Sequence, residues 1–150
     1  MKTIPSISVI LVFISLVTVS VIRPIILSQN VFLIEFVKHE YVNFLAVVVT
    51  VSILTVVQIH NEYTRIERAN KLRVFEVPRQ SINTSAFMLI ASLVAAFVIS
   101  FLVPTFSENN IATSILFSFA LTSILHNIFI MYDLVQTASY IAANEPIDDD

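Results

Sequence analysis

The chain has 150 residues, of which 57% are hydrophobic and only 13% are charged, whereas soluble domains carry about a quarter charged residues. A soluble fold of this size does not hide so much apolar surface, and the longest apolar runs exceed the roughly 18 residues that cross a bilayer as a helix. The net charge of -3 favours neither nucleic acid nor an acidic ligand. The absence of cysteine excludes disulfides and thiolate sites, and the absence of glycine excludes phosphate-binding glycine loops and GxxxG contacts.

The first apolar segment, 4–22, follows Lys2 and predicts a retained membrane-spanning helix. A secretory signal peptide is the alternative, although its best cleavage match, 18–20, is weak. Arg23 comes directly after the segment. We expect its side chain to reach the lipid headgroups, and a buried functional charge is the alternative.

Residues 31–41 mix apolar and charged side chains, and two placements stay open for them. They either lie in the membrane interface or extend the second span outward. Glu35, His39 and Glu40 are spaced like possible metal ligands, but no second ligand cluster accompanies them. A solvated helix face is therefore the preferred interpretation, and the sequence predicts no metal site and no cofactor.

The second predicted span, 42–59, leads into the only long polar stretch inside the chain, the arm 60–84. The arm carries five of the eight basic residues: Arg65, Arg68, Lys71, Arg73 and Arg79. No Gly or Pro interrupts 60–75, so the second helix is predicted to continue into the cytoplasm and to stop near Pro78. We expect the basic residues to contact anionic lipid or a soluble cytoplasmic partner. Interleaved glutamates argue against nucleic-acid binding.

The third span, 86–103, places Ser92, Ala96 and Ser100 four residues apart, which predicts a small-residue face for close helix packing. A short connection predicts an antiparallel hairpin with the fourth span, 111–131. The acidic segment 144–150 is predicted to be a disordered tail.

Polar residues recur on the fourth span every four residues and then once more beyond it: Ser114, Ser118, Thr122, His126 and Asp133. On a helix they form one slowly drifting face, with Asn127 at its edge. Two interpretations stay open. The face either packs against another helix through hydroxyls, or lines a hydrated pore in an oligomer, with a histidine that titrates near neutral pH. Asp133 is expected at the cytoplasmic interface, where it would pair with Arg65 or Arg68.

The distribution of basic residues predicts the topology. Lys2 and the arm fall on one side of four spans, so the positive-inside rule places both termini and the arm in the cytoplasm. The sequence thus predicts an all-α, integral membrane four-helix bundle with its second helix extended into the cytoplasm. A bacterial inner membrane is the favoured location.

No Ser-His-Asp order, HExxH motif or pair of intramembrane carboxylates is present, so no enzyme is predicted. The favoured function is an oligomeric membrane subunit, scaffold or sensor whose arm engages a cytoplasmic partner, as a homo-oligomer or within a larger complex. The alternative is an oligomeric ion pore or transporter lined by the fourth helix. In span count and size the chain resembles small four-span proteins of bacterial accessory and phage-defence systems. That resemblance implies a membrane sensor or a depolarising effector.

Overall fold

The structure is a computed structural model that describes residues 3–70 and 75–143. Within these ranges every regular element is helical, which confirms the all-α prediction for the described residues. The elements are α1 (Thr3–Ile22), α2 (Ile25–Ser28), α3 (Val31–Glu35), a π-helical turn (Phe36–Glu40), α4 (Tyr41–Asn70), α5 (Glu76–Thr105) and α6 (Asn110–Ala143). The predicted acidic tail, 144–150, lies outside the described residues.

Three stretches are long and apolar enough to cross a membrane, and they mark the chain as a membrane protein by length and composition: Val31–Arg68, Glu76–Thr105 and Asn110–Ala142. The first of them joins α3, the π-helical turn and α4 into one continuous helix. Within α1 the shorter apolar stretch is Ile7–Ile22, which rises about 24 Å. The assignment of the chain as a membrane protein therefore rests on the three long stretches.

The charged residues 31–41 extend the second long helix. Asn30 marks its start, because the Asn30 side chain accepts a hydrogen bond from the main-chain N–H of Leu33 at 3.1 Å, as an N-cap does. From there the chain stays helical through the π-helical turn into α4. These residues are therefore helical and continuous with α4, and their placement relative to the membrane stays a prediction.

The arm differs from its prediction in where its second half belongs. α4 ends at Asn70 and α5 already begins at Glu76, so the residues 76–84 form the first turns of α5. Pro78 lies in the first turn of this helix, where its missing N–H would have no helical partner in any case. Pro78 therefore helps to start a helix here, and the arm is a helical hairpin.

The bundle has two ends, which are named here by their connections. The hairpin end lies where 71–75 join α4 to α5, and the turn end lies where 106–109 join α5 to α6. α6 contacts α1, α2, α4 and α5, whereas α1 packs mainly on α6 and α2. α6 is therefore the helix around which the others assemble.

Two buried hydrophobic clusters lie between the helices, and α2, α3 and the π-helical turn contribute residues to the first of them. The turn-end cluster consists of Leu27, Leu33, Val37, Tyr41, Leu45, Ala96, Ile99, Val103, Phe117 and Ala120. The hairpin-end cluster consists of Val49, Val56, Ile59, Tyr63, Ile82, Leu89, Leu134 and Ile141. Neither cluster includes a residue of the described part of α1, so α1 is held by its contacts with α6 and α2.

Candidate functional site

The first two residues of the predicted polar face on α6 are buried against α1. Ser114 and Ser118 are both fully buried. The Ser20 hydroxyl on α1 lies 2.7 Å from the Ser118 hydroxyl and 3.1 Å from the Ser114 main-chain oxygen. This part of the face therefore contacts a helix of the same chain. The sequence analysis did not single out Ser20, which lies near the end of the first apolar segment.

The other residues of that face lie in different surroundings. The Thr122 hydroxyl donates to the Ser118 main-chain oxygen at 2.7 Å, and His126 is half-buried. Each four-residue step on an α-helix turns the side-chain direction by about 40°, so the row rotates by about 120° between Ser114 and His126. The five predicted residues accordingly differ in exposure: Ser114 and Ser118 are buried, Thr122 and His126 are half-buried and Asp133 is exposed.

A second polar pair on α6, Ser123 and Asn127, contacts α4 and α5. The Tyr41 hydroxyl of α4 is hydrogen-bonded to the Ser123 hydroxyl. The Ser92 hydroxyl of α5 donates to Asn127 Oδ1 at 2.8 Å, while Asn127 Nδ2 donates to the Ser123 main-chain oxygen at 2.7 Å. Asn127 and Tyr41 are both fully buried. The four-residue spacing of Ser123 and Asn127 was the signal that would have revealed this pair.

The small-residue row on α5 lies between α4 and α6. Ala96 is fully buried in the turn-end cluster. Ser92 bonds to α6 as described, and the Ser100 hydroxyl lies 3.5 Å from the Val37 main-chain oxygen in the π-helical turn. The row thus contacts both neighbouring helices.

At the hairpin end an ion pair joins α4 to α5. Arg79 Nη2 donates to Glu67 Oε2 at 2.9 Å and to the Thr64 hydroxyl at 3.1 Å. The Phe75 main-chain N–H donates to the second Glu67 carboxylate oxygen at 3.1 Å. The Arg79 and Glu67 side chains are only 30% and 17% exposed. Arg79 was predicted to contact a partner or lipid, and the structure places it in this internal contact, which we call the hairpin latch (Thr64, Glu67, Phe75 and Arg79).

Two further contacts keep α4 and α5 paired near the latch. The rings of Tyr63 and Phe75 stack with centroids 4.4 Å apart and an interplanar angle of 6°. His60 Nε2 lies 2.9 Å from Asn83 Oδ1. The hairpin is therefore a packed element with its own ring and hydrogen-bond contacts.

The remaining basic residues of the arm divide into two groups. Arg65 and Arg68 are exposed on α4, and Arg65 lies 3.0 Å from Glu62 one turn earlier. Lys71 and Arg73 lie outside the described residues. Asp133 is exposed on α6, and among the described residues its carboxylate forms no ion pair with Arg65 or Arg68. The expected link between α6 and the arm through Asp133 is therefore absent from the described part of the chain.

The surface formed by the described residues includes the following concavities. A groove of about 510 Å³ follows α6 near Asp133 and Tyr140, and one of about 450 Å³ lies between α4 and α6 beside Glu62. At the turn end, a cavity of about 220 Å³ is lined by Ser28, Ile34, Lys38, Val103, Pro104, Ser107, Thr113 and Phe117. Among the described residues no three His, Cys, Asp or Glu side chains come close enough together to hold a metal ion.

No protein-family model, curated protein or solved structure matches the chain. Any functional proposal therefore depends on the chain's own geometry.

Proposed function

We propose that this protein is a non-enzymatic, multi-pass membrane subunit, scaffold or sensor whose α4–α5 hairpin binds a cytoplasmic partner. The observation that carries the proposal is the hairpin latch. It fixes α4 and α5 to each other while Arg65 and Arg68 remain exposed on the outer surface. A surface that is already ordered loses less conformational entropy on binding than a flexible loop does.

The proposal includes a topology with four spans. The described α1 has 20 residues, which as a helix rise about 30 Å, the thickness of a hydrocarbon core. Four spans place the hairpin and both termini on one side, and the basic residues of the arm favour the cytoplasm for that side. A bacterial inner membrane and assembly into a homo-oligomer or a larger complex belong to the same proposal.

Contacts of α6 favour a subunit over a pore. The Ser118 hydroxyl is hydrogen-bonded to Ser20 of the same chain, so its polarity is accounted for by helix packing. The Ser114 hydroxyl is buried without a hydrogen-bond partner among the described residues, and Ser20 contacts only the Ser114 main-chain oxygen. A pore lined by α6 would depend on Thr122 and His126 contributed by several copies. The experiment must therefore distinguish the proposed subunit from such a pore.

The absence of native cysteine makes a site-specific test direct. We would place a single cysteine at the exposed hairpin by Arg68→Cys, and a control at the opposite end by Arg23→Cys. After crosslinking in the native host membrane, the complex is extracted in nanodiscs and its mass is measured. We expect Arg68→Cys to capture one defined soluble protein and Arg23→Cys to capture none.

Variants then separate the two functions. Arg65→Ala combined with Arg68→Ala should reduce recovery of that soluble protein at least about tenfold, and Thr122→Leu combined with His126→Leu should leave the recovery unchanged. A homo-oligomer without a second protein, together with ion flux in liposomes that the α6 variants abolish, would overturn the subunit proposal in favour of a pore.

A further inference from the structure

The turn-end cavity combines an apolar floor with a polar rim. Val103 is 3% exposed and Phe117 is fully buried, and both belong to the turn-end cluster. The polar lining residues, called the rim, are Lys38, Ser28, Ser107 and Thr113. Lys38 and Ser107 are exposed, whereas Ser28 and Thr113 are buried. Its volume of about 220 Å³ is below the roughly 300–1,000 Å³ of typical small-molecule sites. The cavity therefore suits a small polar group whose apolar part lies outside it.

The π-helical turn explains why Lys38 lies on this rim. Leu33, Val37 and Tyr41 are all buried although they are four residues apart, a spacing that drifts around an ordinary α-helix by about 40° per step. A π-helical turn holds more residues per turn, so it keeps these side chains on one face, and π-helical turns occur frequently at functional sites. Lys38 follows Val37 directly and lines the cavity together with Ile34.

The cation on this rim has no carboxylate partner within the described residues. The nearest acidic residue earlier in the helix, Glu35, lies 3.5 Å from His39. Lys38 itself makes no ion pair among the described residues, and its side chain is exposed at the cavity mouth. An ammonium group with three donors at the mouth of a cavity favours an anionic group such as phosphate.

The hydroxyls on the rim add a second preference. The Ser28 hydroxyl donates to Asn110 Oδ1 at 3.2 Å, and the Thr113 hydroxyl donates to the Phe106 main-chain oxygen at 2.8 Å. Their hydrogens are used within the chain, so the two oxygens offer lone pairs to a donor on the ligand. A headgroup that carries both a phosphate and a hydroxyl or ammonium donor matches this set.

We propose that the turn-end cavity binds a phospholipid headgroup, with its phosphate at the Lys38 ammonium and its terminal donor at the rim hydroxyls. The acyl chains then remain in the bilayer beside α5, since the cavity lies near the end of an apolar stretch, Glu76–Thr105. The inference rests on the proposed membrane-spanning arrangement. It does not depend on the partner proposed for the hairpin.

Native mass spectrometry of the full chain in detergent tests this site. The delipidated protein is titrated with short-chain phosphatidylglycerol, and separately with short-chain diacylglycerol, which lacks the phosphate. We expect one phosphatidylglycerol per chain, weakened at least about tenfold by Lys38→Met, retained by Lys38→Arg and unchanged by Arg23→Met. Arg23 is the matched control, because it is an exposed basic residue that is expected among the lipid headgroups but does not line the cavity, so it reports headgroup attraction outside the site.

A second variant tests the cavity without changing its charge. Ser107→Phe fills the cavity from an exposed position, so it should abolish phosphatidylglycerol binding while the melting temperature is preserved. Equal losses in Lys38→Met and Arg23→Met, or equal binding of diacylglycerol, would overturn the proposal. Binding of inorganic phosphate as tight as that of phosphatidylglycerol would assign the site to free phosphate and overturn the lipid assignment. None of these results affects crosslinking from Arg68→Cys, so the two proposals fail separately.

Discussion

The contacts between helices inside the apolar stretches and those of the α4–α5 hairpin use different chemistry. Inside the apolar stretches, α1, α4 and α5 reach α6 through neutral hydroxyl and amide groups, with Ser20 and Asn127 as examples. At the hairpin end the contact is the Glu67–Arg79 ion pair. A charged group is costly at membrane depth, so an ion pair of this kind suits the polar end of the bundle.

The two regions also differ in how much stability the loss of one polar contact is expected to cost. Three serines that bond between helices lie close to an acceptor on their own helix as well: Ser118 to Ser114 O, Ser92 to Leu89 O and Ser123 to Ala120 O. When the partner residue on the other helix is replaced, these hydroxyls keep the acceptor on their own helix, so the expected loss of stability is small. The Glu67 carboxylate, in contrast, accepts from Arg79 on one side and from Phe75 N–H on the other. We therefore expect polar substitutions to cost more in the hairpin than in the apolar stretches.

The largest loss of unfolding free energy is expected when a packed core side chain is removed. The effects of the polar contacts can be compared with this value. Tyr41→Ala removes a fully buried ring from the turn-end cluster and should lower the free energy of unfolding by about 3 kcal/mol. Tyr41→Phe keeps the ring and loses only the bond to Ser123, at about 0.6 kcal/mol. The measurement is SDS-induced unfolding in mixed micelles. Equal losses in both variants would show that the hydroxyl carries the effect.

The latch should give the second largest effect. Arg79→Ala leaves the Glu67 carboxylate partly buried without its cation and should cost about 2 kcal/mol of unfolding free energy. Arg68→Ala, an exposed arginine on the same hairpin, should change stability by less than about 0.5 kcal/mol. A double-mutant cycle with Glu67→Gln should show coupling on the order of 1 kcal/mol. Strictly additive effects would contradict a direct pair.

The ring stack should contribute less than the latch. Tyr63→Leu removes the contact with the Phe75 ring and should cost about 1 kcal/mol. Hydrogen exchange of the hairpin amides measures the change, because local opening exposes them. The same substitution in a Phe75→Leu background should have a clearly smaller effect. An undiminished effect there would mean that Tyr63 acts through the hairpin-end cluster and not through the stack.

The smallest effect is expected for the contact between α1 and α6. Ser20→Ala should cost about 0.6 kcal/mol, since Ser118 keeps the acceptor on its own helix. Thr18→Ala is the matched control on α1, because the Thr18 hydroxyl bonds to the Ile14 oxygen of the same helix. Both variants are compared by SDS-induced unfolding. An equal loss in the control would show that the Ser20 contact adds nothing between the helices.

Much of the helical architecture was predictable because it depends on short stretches of chain. Continuous apolar runs favour helices, since lipid leaves main-chain groups no other partner, and Asn30 is a residue type that commonly caps a helix, as it does for α3. The hairpin was harder to predict. Pro78 disfavours helix in the residue before it and favours helix in the residues after it. The sequence is therefore compatible with a helix that ends near Pro78 and with one that begins there. The pairing of α5 with α4 selects the second.

The candidate sites, like the helices, were predictable from the sequence only in part. Period-four spacing on α6 identified Ser114 and Ser118 as a polar face, but spacing is the same for a packed face and a pore-lining face. The contact that favours packing comes from Ser20, which lies 94 residues from Ser114 in the sequence. The Lys38 cavity likewise has no local signature, because five separate elements and the connection 106–109 line it.

The sequence by itself determined that the chain is all-helical in its described part and has stretches apolar enough to cross a membrane. Local composition and periodicity are sufficient for that, because helical hydrogen bonds connect residues four apart. Only the tertiary structure decided which polar groups meet: Ser20 with Ser118, Ser92 with Asn127 and Glu67 with Arg79. Those pairs depend on how helices rotate and slide against each other, which side-chain packing across the whole bundle sets.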